Sequence, residues 1–167
     1  MLQLLYRNAT LQDLSKIVKI YNSTVASRMV TADTEPVSAE SKVNWFNEHS
    51  PDKKPLLMIE DNNNNVLGWV SFQSFHQRPA YNATVEISIY LDPLFRGKGV
   101  GQRVLQYCIE TSPNFGIKTL LSFIFAQNEP SLKLFRHFGF EEWATFPNVA
   151  ILDGVERSLK ILGKRVG

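Results

Sequence analysis

The sequence predicts a mixed α/β fold, and three observations carry that prediction. Short apolar runs with a period of two alternate with runs whose apolar residues fall three and four apart, and tracts rich in Asn, Asp, Pro and Gly separate them. The chain has 167 residues, a length that buries one continuous core, so a single domain over residues 1–167 is expected. Hydrophobic residues make up 44% and charged residues 20%, which argues against disordered and fibrous classes.

The elements follow in order. The apolar stretch LQLLYR reads as a strand feeding a helix behind Thr10, in which Leu11, Leu14, Ile17, Val18 and Tyr21 recur at helical spacing through residue 25. Ser38 opens a second helix, where Glu40 and Glu48 flank Val43, Trp45 and Phe46 before SPDKKP stops it. The loop at 30–37 is free to line a site. Residues 55–60 and 66–75 form a hairpin around DNNNN, because asparagine side chains bond their own backbone and tolerate positive φ. TVEISIYL alternates Val85, Ile87, Ile89 and Leu91 against Glu86, Ser88 and Tyr90, a strand that points Glu86 and Ser88 the same way. From Val100 the period becomes helical, with Val104 and Cys108 on one row and Leu105 and Ile109 beside it, ending at TSPN. KTLLSFIF is a buried strand and PSLKLFRHF a short helix. EEWATF and VERSLKIL form a last hairpin around Asp153-Gly154.

Bulk charge excludes little. A formal net charge of +2 is too small to imply nucleic acid, although a local basic cluster could serve one anionic ligand. Cys108 is the single cysteine, so neither an intramolecular disulfide nor a cysteine metal cluster forms, and a reducing cytoplasm is the expected setting. The opening MLQLLYRNAT is interrupted by Arg7 and reaches neither signal-peptide nor membrane-span length, so no membrane association is expected. His49, His76 and His137 lack metal-ligand spacing, and no metal is expected.

Residues 95–102, FRGKGVGQ, stand between a strand and a helix. Gly97, Gly99 and Gly101 let the backbone approach a ligand closely, and the first N–H groups of the helix favour an anion. Arg96, Lys98 and Arg103 would add cationic contacts to a pyrophosphate or a 3′-phosphate. A tight glycine turn with incidental basic neighbours is the other reading. A dinucleotide fingerprint needs a glycine where Gln102 stands, and a P-loop needs Ser or Thr after Lys98, where Gly99 stands.

Arg96-Gly97-Lys98-Gly99-Val100-Gly101 resembles the Q/R-x-x-G-x-G/A signature of the GNAT superfamily of N-acetyltransferases. RNATLQDLSKIVKIYNSTV, DTEPVSAESKVNWFNEH, RPAYNATVEISIYLDP and NEPSLKLFRHFGF resemble, in that order, its phosphinothricin and methionine-sulfone acetyltransferase branch. The resemblance implies a central mixed, mostly antiparallel twisted sheet of about seven strands flanked by about four helices. It implies acetyl-CoA as cosubstrate, a small amino acid or analogue as acceptor, and a homodimer.

Carried over residue by residue, the resemblance makes Glu86 the general base that takes the acceptor amine's proton. Burial would raise its pKa to a useful value; the polar face of a half-exposed strand is the alternative. It places the pyrophosphate on Arg96, Gly97, Lys98, Gly99, Val100, Gly101 and Gln102. A local break in strand pairing at Ile89, Tyr90 and Leu91 would free backbone N–H groups for pantetheine and the thioester carbonyl. Asn128 and Ser131 match the family's N-x-x-S, where the asparagine contacts the pantetheine arm; both residues are also good helix caps. Phe135 stands where many relatives place a tyrosine or histidine acid, so water or substrate is expected to protonate the thiolate.

An amino-acid acceptor needs a cation for its carboxylate. Arg78 matches a family arginine eight residues before the glutamate, and otherwise is a solvated loop residue. His76, Gln77 and Ser88 are the other expected pocket residues, whereas Trp69 and Tyr81 read equally as core aromatics. The end of the chain, FPNVAILDGVERSLKILGKRV, departs from the branch where it shapes the acceptor pocket. Polyamine, aminoglycoside and protein N-terminal acceptors therefore stay open, as does an acyl-CoA-binding sensor without catalysis.

Overall fold

The computed structural model describes residues 1–167. Seven strands form one sheet: β1 (Leu5–Asn8), β2 (Leu56–Glu60), β3 (Val66–Ser74), β4 (Thr84–Leu91), β5 (Thr119–Phe125), β6 (Glu141–Leu152) and β7 (Val155–Arg165). Their spatial order is β1-β2-β3-β4-β5-β7-β6, and every neighbouring pair is antiparallel except β4 with β5. Four α-helices accompany the sheet: α1 (Leu14–Asn22), α2 (Val43–Asn47), α3 (Val100–Thr111) and α4 (Glu129–His137). The expected mixed, mostly antiparallel architecture is the one observed.

Alternation along the strands divides the core in two. Leu57, Ile59, Val70, Phe72, Val85 and Ile87 pack with Val104, Leu105 and Cys108 of α3 and Leu132 and Phe135 of α4. On the opposite face Met58 and Trp69 pack with Ile17 and Ile20 of α1, and Trp45 of α2 leans on them. Burying an aliphatic side chain contributes roughly 1.5–3 kcal/mol, so these two layers set the positions of β3 and β4, which carry the site.

Three elements differ from the sequence expectation. The first helix begins as a 3₁₀ turn at Leu11–Asp13 and ends at Asn22, with a second 3₁₀ turn at Val25–Ser27. Asp13 accepts from the Arg7 guanidinium at 2.7 and 2.9 Å and from the Thr10 N–H at 2.7 Å, which fixes how the chain enters. The second helix has only five α residues, because Ser38 caps a 3₁₀ turn, with its Oγ 3.2 Å from the Ser41 N–H, before α2 starts.

The last hairpin is longer than the two predicted runs. Its turn is at Asp153 (φ 52) and Gly154 (φ 77), as expected, but β6 continues past Phe146. Pro147 has no N–H to donate, and a register shift between Phe146 and Ala150 absorbs it, with Asn148 at φ 52.

Candidate active site

The period of two along β4 puts Glu86, Ser88 and Tyr90 on the face that looks toward α1 and α2. Register with β3 sets Gln73 opposite Glu86, Ser71 opposite Ser88 and Trp69 opposite Tyr90. A cavity of about 250 Å³ opens over this patch, closed by Ile17, Val18 and Tyr21 of α1, Val37 of the preceding loop, and Lys42 and Trp45. A second, polar cavity of about 400 Å³ adjoins it and is lined by His49, Lys54, Ser74, Gln77 and Asn82. Glu86 and Gln73 line both.

Glu86 is half-buried, and no hydrogen bond or ion pair reaches its carboxylate. Burial removes water from the anion, which raises its pKa from an ordinary 4.5 to about 7. The group is therefore partly protonated and partly ionised at neutral pH, as a proton-transfer base requires.

The walls are ordered by aromatic packing. Tyr90 stacks on Trp69 with ring centroids 4.5 Å apart and an interplanar angle of 16°. Trp45 meets Trp69 edge-on at 5.6 Å, and Trp69 Nε1 donates to the Ile17 carbonyl at 3.1 Å. The Tyr21 hydroxyl is hydrogen-bonded to Thr31 and Asp33, which ties the 30–37 loop to α1. Burial and the Asp33 carboxylate push Tyr21 up to about 12. His49 Nε2 lies 2.7 Å from Ser71 Oγ, and Nδ1 lies 3.0 Å from the Trp45 carbonyl. Burial lowers its pKa, and a ring whose Nδ1–H donates to the carbonyl while Nε2 accepts from Ser71 satisfies both contacts.

On the other side of β4 the sheet splays. The ladder with β5 runs from Thr84–Thr119 to Glu86–Leu121 and stops, so from Ile87 onward the facing edges are unpaired. A slot of about 60 Å³ lies in the gap, lined by Ile89 and Tyr90, by Ser122 and Ile124 of β5, and by Asn128, Ser131 and Phe135. Asn128 and Ser131 thus come together with Ile89 and Tyr90, and Asn128 Oδ1 also caps α4, 3.3 Å from the Ser131 N–H. Ser88 and Tyr90 line both this slot and the 250 Å³ cavity, so the two spaces lie against the same stretch of β4.

Leu91 lies past the slot, where its carbonyl accepts from Arg96 Nε at 3.0 Å. Gly97 and Gly99 have φ of +71° and +76°, and a Cβ at either would meet open space, so backbone conformation rather than crowding calls for glycine there. At Gly101 an added Cβ would make an ordinary 3.6 Å contact with Leu134. Gly99 is the N-cap of α3, and buried Val100 anchors its first turn, leaving the leading N–H groups and exposed Gln102 toward the loop. Arg96 Nη2 donates to Ser23 Oγ at 2.7 Å, and Arg103 Nη1 donates to the Leu2 carbonyl at 2.5 Å. Lys98 has only a ring contact, 5.8 Å from the Phe95 centroid, and is the basic side chain of the loop left to meet an anion.

The expected acceptor residues divide. Ser88 lines the first cavity and Gln77 the second, whereas His76 and Arg78 are exposed and line neither. Trp69 is buried in the site floor, and Tyr81 is 42% exposed, so it is not a core residue. Sequence reasoning missed Tyr21, Lys42, Trp45 and Gln73. The polar Ser71 and Gln73 inside the apolar run WVSFQS were the available signal. No group of three or more His, Cys, Asp or Glu residues is placed to hold a metal ion.

A family model described as "Acetyltransferase (GNAT) family" matches residues 17–140. "Putative phosphinothricin acetyltransferase YwnH" of Bacillus subtilis is 53% identical over 160 residues, covering 96% of this chain and 98% of its own length. An L-methionine sulfoximine/L-methionine sulfone acetyltransferase of Pseudomonas aeruginosa is 32% identical over 143 residues, covering 86% of this chain and 83% of its own. A crystal structure of "a putative phosphinothricin N-acetyltransferase" superposes with a TM-score of 0.95 at 52% identity, covering 99% of each chain. A phosphinothricin acetyltransferase from Sinorhizobium meliloti in complex with acetyl-CoA gives 0.89 at 26% identity, covering 98% of this chain and 89% of that one.

Proposed function

This chain belongs to the acetyltransferase (GNAT) family, and from that premise we propose that it acetylates the α-amine of a small amino acid or analogue, of phosphinothricin or methionine sulfone type, by direct transfer from acetyl-CoA. The observation that carries this reading is the position of Glu86. A carboxylate with a pKa near 7 faces a cavity that shares Ser88 and Tyr90 as wall residues with the slot where β4 and β5 part.

The residues support each step. The positive-φ loop at Gly97 and Gly99, the α3 N-terminus and Lys98 suit the pyrophosphate. The splayed edge at Ile89 and Tyr90, with Asn128, suits the pantetheine arm. Glu86 accepts a proton from the entering ammonium, directly or through water, and the freed amine attacks the thioester carbonyl. The attack forms the C–N bond, and the adduct then loses the nitrogen's second proton to solvent or to the departing sulfur as the C–S bond breaks, leaving the amide. Phe135 is buried in the slot wall and has no proton to give, so solvent or the acceptor supplies the thiolate's proton.

We place the enzyme in the cytoplasm as one domain over residues 1–167, a setting that suits a free, buried Cys108. No helix is long and apolar enough to cross a membrane. A homodimer is part of the reading: Trp143, Phe146, Val149 and Ile151 of edge strand β6 are all exposed.

Thiol release from acetyl-CoA, measured with amino acids, methionine sulfone, phosphinothricin, polyamines and aminoglycosides against an acceptor-free blank, tests the function. Stimulation by the amino-acid class is expected. Stimulation confined to polycations, or a flat panel from protein that binds acetyl-CoA, would refute it.

A further inference from the structure

The cavity over Glu86 is lined by one acidic and one basic side chain. The acid is Glu86 and the base is Lys42, which stands at the junction between the Glu40–Lys42 turn and α2. Lys42 is half-buried, forms no ion pair, and has one close partner, the Tyr21 ring, with Nζ 5.7 Å from its centroid. Such a cation–π contact holds an ammonium at the cavity wall without cancelling its charge. The Asp33 carboxylate accepts from the Tyr21 hydroxyl and makes no ion pair with Lys42. Of the other candidate cations, Lys54 lines the adjoining polar cavity, which Glu86 also lines, but donates to Ser74 Oγ at 2.6 Å and is absent from the aromatic cavity, and Arg78 is exposed.

A free α-amino acid carries an ammonium and a carboxylate on the same carbon, and a desolvated pocket holds both only if each meets an opposite charge. We infer that Lys42 receives the acceptor's α-carboxylate, so that a zwitterionic amino acid binds with its ammonium at Glu86 and its side chain against Val37, Trp45 and Trp69. The inference rests on the acetyltransferase reading above and names which cation selects the acceptor. A lysine is a mobile point charge rather than a rigid fork, so it fixes the carboxylate while tolerating different acceptor side chains. A polyamine would bring a further positive charge beside Lys42 and be repelled.

The test compares L-methionine sulfone with its α-carboxamide as acceptors for the wild-type protein and for Lys42→Met, Lys42→Arg and Arg78→Ala. Wild-type kcat/KM is expected to favour the acid roughly tenfold or more, equivalent to about 1.4 kcal/mol of charge recognition. In Lys42→Met the acid-to-amide ratio collapses toward one through the KM of the acid. Lys42→Arg restores part of it, and an unchanged KM for acetyl-CoA verifies that the variants fold. A ratio preserved in Lys42→Met, or lost in Arg78→Ala, overturns the inference. Equal wild-type rates on acid and amide overturn it while leaving the transferase intact, and turnover of neither compound removes the acceptor class together with it.

Discussion

Replacing Glu86 with Gln should make the protein more stable and nearly inactive at once. The change is almost isosteric and removes only the ionisable group. Burial raises the folded-state pKa from 4.5 to about 7, so between those values the folded protein keeps a proton that the unfolded chain has released. Stability is then undiminished below pH 4.5, falls as pH rises through the window, and reaches its full loss above 7. At 1.36 kcal/mol per pKa unit, the loss amounts to about 3 kcal/mol. Glutamine is neutral throughout and escapes it. Urea unfolding should therefore find the two proteins alike near pH 4.5 and Glu86→Gln more stable by roughly 2–3 kcal/mol at pH 8. The same substitution should lower turnover roughly 10²- to 10⁴-fold with acetyl-CoA affinity little changed. In the wild type, kcat/KM should rise through a pH near 7 as Glu86 ionises. A stability gap that does not vary with pH would refute the burial reasoning, and unchanged turnover would remove Glu86 from the mechanism.

Other substitutions separate roles that coincide in one residue. Asn128→Ala should cost about 1 kcal/mol by uncapping α4 and should also raise the KM for acetyl-CoA. Asn128→Ser keeps a neutral acceptor for the Ser131 N–H, so unfolding should stay near wild type while the KM still rises; an unaltered KM would leave Asn128 a cap alone. Gly68→Ala would set a Cβ 2.3 Å from the Tyr90 carbonyl and 3.0 Å from Leu91 Cα. Neither backbone atom can yield without moving β4, so calorimetry should show acetyl-CoA binding weakened roughly tenfold or more. Gly99→Val forces a β-branched residue to positive φ beside the pyrophosphate and should abolish binding in the same assay. Phe146→Glu should shift the dimer to monomer in light scattering, and a wild-type protein already monomeric would end the dimer proposal.

Much of the scaffold was legible because it depends on short-range chemistry. Alternation in TVEISIYL put Glu86, Ser88 and Tyr90 on one face, and the glycine spacing in FRGKGVGQ marked the strand-to-helix loop, where two glycines take positive φ. Asp153-Gly154 placed the last turn correctly. The ends of elements were less legible: the Arg7–Asp13 contacts start α1 late, and a register shift carries β6 past Pro147. These depend on partners in other elements, which local pattern does not contain.

The sequence by itself determined the element types, the glycine loop ahead of α3 and the face of Glu86, since each follows from backbone geometry over a few residues. Only the tertiary structure decided the company Glu86 keeps. Tyr21, Lys42, Trp45, Trp69 and Gln73 come from α1, α2 and β3, and converge because the two-layer packing sets those elements over β4. It also left Arg78 exposed and set Lys42 in the wall of the cavity over Glu86. A charge's reach into a cavity depends on burial and on the surrounding walls, and both exist only once distant segments have packed.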